Sequence, residues 1–265
     1  MRRLSEAGRS GGDGFVSPSL VRNIPLLVAA GAFVLSLLLM PHAGGVFTWA
    51  FPGAGGVYNR GSFVALALSH ISLVAAAVSA ATVLGGVAAV AVTRPWGASA
   101  APLVGLVAKI GQSFPPAAVL AVLVPIIGFG AVPTLLALFL YGLLPVVENM
   151  QAGLRGVPEA VREAALGMGF SPWRVLWLVE LPLAWPQGFA GVRTAAVVAL
   201  GTATVGSTVG ALTLGTPIID GLVTNRPGFV LQGSVPLALL AVVLELVASR
   251  IERAAVYRVG VGGAV

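Results

Sequence analysis

The 265-residue chain has no cysteine, which excludes disulfides, thiolate nucleophiles and cysteine-ligated metals. Lysine is nearly absent too: Lys109 is the single one, and Ile110 follows it. A glycine-rich loop that cradles ATP phosphates ends in Lys-Ser or Lys-Thr, because the ammonium and the hydroxyl reach the phosphates and the metal. This chain therefore carries no ATP-hydrolysing loop of that kind. Charge of either sign is scarce, at 9% of residues against about 25% in soluble domains. His42 and His70 lie in different segments without metal-ligand spacing, and no Ser-His-Asp or paired-carboxylate arrangement stands out. A catalyst is not indicated. Nor is a nucleic-acid surface, since the fourteen arginines are thinly spread.

What fills the sequence is apolar: 57% of residues are hydrophobic and mean hydropathy is +0.98. A helix needs about 20 mainly apolar residues to cross a bilayer. Six runs qualify, at Ile24 to Met40, Phe63 to Val92, Pro102 to Gly128, Pro133 to Met150, Leu183 to Leu212 and Phe229 to Ser249. The expected fold is an all-α polytopic membrane protein with about six transmembrane helices. The second, third and fifth runs are longer than needed and contain Gly or Pro, so tilts, kinks or breaks are expected there. The organisation reads as a polar tail over 1–23, a first span with its external loop over 24–62, a core over 63–249 and a short tail over 250–265. No regulatory module is expected in that last tail. The long polar lead, with no small-residue cleavage site after Met40, argues against a signal peptide.

Six spans place both ends on one side, and arginine selects the side. With both termini cytoplasmic, that face receives Arg2, Arg3, Arg9, Arg22, Arg94, Arg155, Arg162, Arg174, Arg250, Arg253 and Arg258, against Arg60 and Arg226 outside. Lys109 and Arg193 are left within or near the membrane. Lys109 is expected to snorkel toward the cytoplasmic interface. Arg193 is expected to pair with a carboxylate such as Glu148.

The loop over 151–182 contains "VPEAVREAALGMGFSPWRVLWLVELP", charged and punctuated between two greasy runs. Arg155, Glu159, Arg162, Glu163 and Arg174 would each cost about 2.5 to 3.5 kcal/mol at a membrane helix centre, which keeps the loop in water. Pro158 suits a first helical position and Glu159 meets the positive helix end. Val161, Ala164, Ala165 and Met168 share one face of a short helix. Gly167 and Gly169 can end it, and Ser171-Pro172 reads as the cap and first residue of a second helix. Small Ala164, Ala165 and Gly169 permit close approach of another surface, with Glu159, Arg162 and Glu163 at its rim. Taken from the residues alone, the stretch is either a docking element for a cytoplasmic partner or a loop packed on its own protein.

The spacing Glu163-Ala164-Ala165, three residues, Gly169, nine residues, Val179-Glu180-Leu181-Pro182 resembles the "EAA" motif of membrane subunits of binding-protein-dependent ABC importers, with Val179 where Ile is usual. The similarity spans about Phe63 to Glu245. The segments "GQSFPPAAVLAVLVPIIGFGAVPTLLALFLYGLLPVVEN", "GMGFSPWRVLWLVELPLAWP", "GVRTAAVVALGTATVGSTVGA" and "SVPLALLA" look like the osmoprotectant branch, the glycine betaine, choline and carnitine permeases. Leu212-Thr213-Leu214 departs from that branch's Gly-Gly-Leu-Gly.

The resemblance implies a type I importer permease whose cytoplasmic coupling helix enters a cleft of a separate ATPase. Glu163, Ala164, Ala165 and Gly169 would make those contacts, and Glu159 and Arg162, at the rim, are expected to couple to the ATPase beside them. It also implies ATP and Mg on the ATPase, a second permease subunit that is the same or a related chain, an extracytoplasmic solute-binding protein, and the cell inner membrane as location. The alternatives are an ABC permease for an amino acid, phosphonate or sulfonate, an ion-coupled secondary transporter using Glu148 or Glu245, and a non-transporting scaffold.

Polar residues inside spans are candidates for a pathway or for packing. Gln112, Ser113 and Phe114 precede Pro115-Pro116, where missing N–H donors interrupt a helix and free carbonyls. Thr202, Thr204 and Ser207 are interleaved with glycines, a pattern that serves close helix packing or lines a channel. The five tryptophans fall mostly near interfaces and do not indicate an aromatic cage for a cation.

Overall fold

The computed structural model describes residues 18–53 and 56–258. The expected tail arginines Arg2, Arg3 and Arg9 and the last seven residues lie outside the described residues, as do the side chains of Arg22 and Arg258. In chain order the helices are α1 (Pro18–Leu39), α2 (Gly44–Ala50), α3 (Phe63–Val92), α4 (Ala101–Ser113), α5 (Pro116–Ile127), α6 (Ala131–Arg155), α7 (Glu159–Gly167), α8 (Pro172–Val175), α9 (Leu181–Val205), α10 (Gly215–Val223) and α11 (Pro227–Arg258). No strand occurs among the described residues.

Five segments are long and apolar enough to cross a membrane: Asn23–His42, Phe63–Val92, Ala131–Arg155, Pro172–Val209 and Pro227–Ala254. The third run breaks, as its prolines lead one to expect, into two helices, α4 and α5, bent by 97° at Pro115 and Pro116. A proline removes an N–H and its ring displaces the preceding turn, so two in succession break the helix. The carbonyl of Phe114 at this break accepts a hydrogen bond from the Tyr141 hydroxyl of α6. The freed polar group is thus satisfied by a packing neighbour.

Boundaries also differ from the sequence reading. Helix α1 begins at Pro18, ahead of Ile24, because a proline at the first position leaves no orphan N–H. Helix α11 runs on through the expected tail to Arg258. The fifth span is continuous with α8 through a π turn at Leu176–Glu180. The widened turn falls where the ring of Pro182 would otherwise meet the carbonyl of Leu178.

Helix α6 is the centre of the bundle and packs against α3, α9 and α4. On α3 the buried stripe Ala77, Ala81, Gly85 and Ala89 repeats every four residues, so small side chains line one face and the helix axes approach closely. The same device recurs between α6 and α9: a Cβ on Gly153 would stand 2.7 Å from the carbonyl oxygen of Ala184. In a bilayer the lipid is as apolar as the side chains, so this close contact, more than hydrophobic burial, holds the helices together.

The two ends of the bundle are tied differently. At the end where α10 meets α11, Gln232 is fully buried and accepts the Tyr58 N–H at 2.9 Å. Its amide in turn donates to the carbonyl of Gly56 at 2.7 Å. The Tyr58 hydroxyl donates to Asp220 at 3.2 Å, and its ring meets Phe63 and Phe229 edge-on. The loop ahead of α3 is thereby pinned to α10 and α11. At the other end lie α7 and most of the arginines.

Candidate functional site

Helix α7 stands at the arginine-rich end. Pro158 is its N-cap, not its first helical residue as expected: its ψ of 135° is extended, while its carbonyl accepts the Val161 N–H at 3.0 Å. Glu159 occupies the first turn, where the helix dipole favours a carboxylate. At the far end the Gly169 N–H donates to Leu166 at 2.9 Å and the Phe170 N–H to Ala165 at 3.2 Å. This pair is a Schellman cap, and it needs a left-handed residue at Gly169, whose φ is +83°. Ser171 then caps α8 by accepting the Arg174 N–H at 3.4 Å, as its position before Pro172 predicts.

The face expected to be apolar and shared is split. Ala165 is buried at 2% exposure, whereas Val161 is 39% and Met168 is 70% exposed. Glu159, Glu163, Ala164 and Gly169 are exposed. Of the six residues expected to form a docking surface, four are open to solvent. Ala165 and Arg162 face this chain itself.

Arg162 is the main departure. Its guanidinium donates to the carbonyl of Leu154, the last turn of α6, at 2.5 Å and to Glu159 at 3.0 Å. Its Nε lies 2.8 Å from Glu180 Oε1. Glu180 is 3% exposed, and its other oxygen is 2.6 Å from Arg94 Nη2. The sequence reading placed Arg94 merely on the arginine-rich face and Glu180 merely in a motif. The available signal was a carboxylate between Val179 and Leu181 on a helix returning to the membrane, a setting that requires a cation.

Arg193 also finds partners other than the expected one. It lies 2.6 Å from Glu252 and pairs with Glu245, both on α11. Glu148 is exposed. The correction follows from helix packing: α9 and α11 are neighbours, and Glu245 and Glu252 are seven residues apart on one face of α11. Glu245, weighed as an ion-coupling carboxylate, is engaged by this arginine. Lys109 is exposed on α4.

The pathway candidates fall into two sets with different partners. Gln112 donates to the carbonyl of Tyr141 at 3.2 Å, and Ser113 bonds back to Lys109 at 2.7 Å. The Phe114 side chain is 57% exposed. Thr204 donates to the carbonyl of Gly201 at 2.6 Å, and Thr202 is half-buried. Ser207 lies 2.8 Å from the Thr213 hydroxyl and 3.2 Å from that of Thr216. Thr213 accepts the Gly215 N–H at 2.9 Å, so Ser207 belongs to a hydroxyl cluster that caps the α9–α10 junction.

A family model described as binding-protein-dependent transport system inner membrane component matches residues 81–257. The choline transport system permease protein OpuBB of Bacillus subtilis is 36% identical over 195 residues, covering 74% of this chain and 89% of that protein. The osmoprotectant import permease protein OsmY of Salmonella typhimurium is 38% identical over 176 residues, covering 66% and 75%. Among solved structures, the inward-facing MetNI methionine ABC transporter superposes with a TM-score of 0.64 at 22% identity, over 72% of this chain and 95% of that one. The last likeness concerns the fold alone. The chain belongs to the family of binding-protein-dependent transport system inner membrane components.

Proposed function

We propose that the chain is the membrane-spanning subunit of an ATP-driven importer and that its solute is an osmoprotectant of the glycine betaine, choline or carnitine class. The solute class rests on the relatives. The observation that carries the coupling mechanism is α7, a short capped helix held outside the apolar bundle with Glu159, Glu163, Ala164 and Gly169 open. A separate ATPase, with its ATP and Mg, grips this surface. Closure of two ATPase subunits then displaces α7, and whole helices follow as rigid bodies.

The end bearing Arg94, Arg155, Arg162, Arg174, Arg250 and Arg253 is the cytoplasmic one, in line with the positive-inside rule. Counting the bent α4–α5 pair as one crossing puts both termini on that side. A second permease subunit, the same or a related chain, completes the passage, and an extracytoplasmic binding protein delivers solute to the end bearing Arg60 and Arg226. Ser113, Phe114, Thr202 and Thr204 remain the residues proposed to line the passage.

The test is uptake of labelled glycine betaine, choline and carnitine by proteoliposomes containing this chain with its ATPase and binding protein, with and without ATP. ATP-dependent accumulation of at least one is expected. Uptake of none, or uptake driven by an ion gradient without ATP, would overturn the reading.

A further inference from the structure

Helix α7 is nine residues long, too short to hold its own orientation in water. Force delivered to it reaches the membrane helices only through what ties it down. Among the described residues the polar tie is one ion cluster. Arg162 on α7 reaches Glu180 at 2.8 Å and the end of α6 at the Leu154 carbonyl. Glu180, the last residue of the π turn that leads into α9, reaches Arg94, just beyond α3, at 2.6 Å. One carboxylate therefore joins α7 to α9 and to the end of α3, and its arginine adds α6. These are the helices that pack around the centre of the bundle.

Two further facts favour a mechanical role over a stabilising one. A buried ion pair contributes little net stability, because desolvation offsets the attraction. Moreover, Arg94 Nε, Arg162 Nε and Glu180 Oε2 are buried without a well-aligned hydrogen bond, so ionic attraction at 2.8 and 2.6 Å carries much of the contact at Glu180, beside the aligned bond from Arg162 to Leu154. Charge attraction changes gradually with distance, whereas a hydrogen bond weakens steeply once its angle opens. Such a joint keeps its elements together while allowing them to turn.

We propose that Glu180 is the positioning residue that links the ATPase-gripped helix to the bundle, the pivot through which motion of α7 is passed to α3, α6 and α9. The inference rests on the importer reading above. It assigns to Glu180 the transmission step, distinct from the ATPase contact itself.

The experiment uses the complete complex in proteoliposomes and reads, for whichever of labelled glycine betaine, choline or carnitine the wild-type complex accumulates, solute taken up per ATP hydrolysed. Glu180→Gln keeps the shape and removes the charge; it is expected to lower that ratio by about tenfold. Glu180→Asp, which keeps the charge, is expected to recover at least half of the wild-type ratio. A ratio unchanged in Glu180→Gln overturns the proposal, as does a parallel fall in uptake and hydrolysis that leaves the ratio constant. If Glu180→Gln does not assemble, Arg94→Gln decides: it leaves the Arg162 pair intact, and a fall of about threefold or more supports the pivot while an unchanged ratio overturns it. Absence of ATP-dependent uptake in the wild-type complex would instead refute the importer reading.

Discussion

Arg193 of α9 and Glu252 of α11 lie side by side, with Nη1 2.6 Å from the carboxylate, and the same guanidinium also holds Glu245. Two acids on one helix thus share a cation from its neighbour. Arg193→Ala leaves both carboxylates without it. All three side chains are partly exposed, and solvent screens such a cluster, so the expected effect is a small lowering of stability. Thermal unfolding of the detergent-solubilised chain should show the drop. Glu148→Gln, at the site first expected to pair with Arg193, should leave the midpoint unchanged.

Gly169 sits at φ +83°, with open space where a side chain would project. Gly169→Arg should cost about 1 to 2 kcal/mol for the left-handed backbone and leave the membrane bundle folded. It also places a long cation on the surface proposed for the ATPase. Co-purification of the ATPase with the variant should fall by about tenfold or more, a loss of at least 1.4 kcal/mol in association.

Gly153 and Gly86 make a matched pair. A Cβ on Gly153 would meet the Ala184 carbonyl at 2.7 Å, whereas one on Gly86 meets nothing within 4 Å. Gly153→Ala should force α6 away from α9 at a cost of about 1 to 3 kcal/mol. Gly86→Ala should be neutral or stabilising by up to about 1 kcal/mol, since alanine favours the helix. Unfolding midpoints of the two variants compared with wild type decide the matter.

Tyr58 lies in the loop before α3. Burial, and then the carboxylate of Asp220, push its phenol up to about 12 from the usual 10. The folded value is the higher one, so the contribution of Tyr58 to stability is complete below pH 10 and is lost as pH rises through about 12. In an ultraviolet titration of tyrosinate, Tyr58→Phe should lose one tyrosine's worth of amplitude from the late part of the curve near pH 12.

The helical fold, the number of apolar runs, the glycine that ends α7 and the cap that starts α8 were legible in the sequence because each has a local cause. Apolar length marks a span, Ser171-Pro172 starts a helix, and Gly169 permits the left-handed turn. Partners of charged groups were not legible, because they depend on which helices become neighbours. Arg193 was assigned to Glu148 on the fourth run but meets α11. Arg162 looked like part of an outward rim, yet its guanidinium turns inward to a carboxylate eighteen residues later. Pro115-Pro116 was recognised as a break, but neither the sharpness of the bend nor the Tyr141 hydroxyl that satisfies it could be read from local pattern.

The π turn at Leu176–Glu180 sets an angular phase. Each residue of an α-helix advances about 100°, and a π turn carries one residue more than the regular winding requires. That surplus fixes which compass direction the watery half of the segment presents relative to its lipid-embedded half. Removing a single residue there would re-index every side chain upstream by roughly a quarter-circle and leave the downstream register untouched.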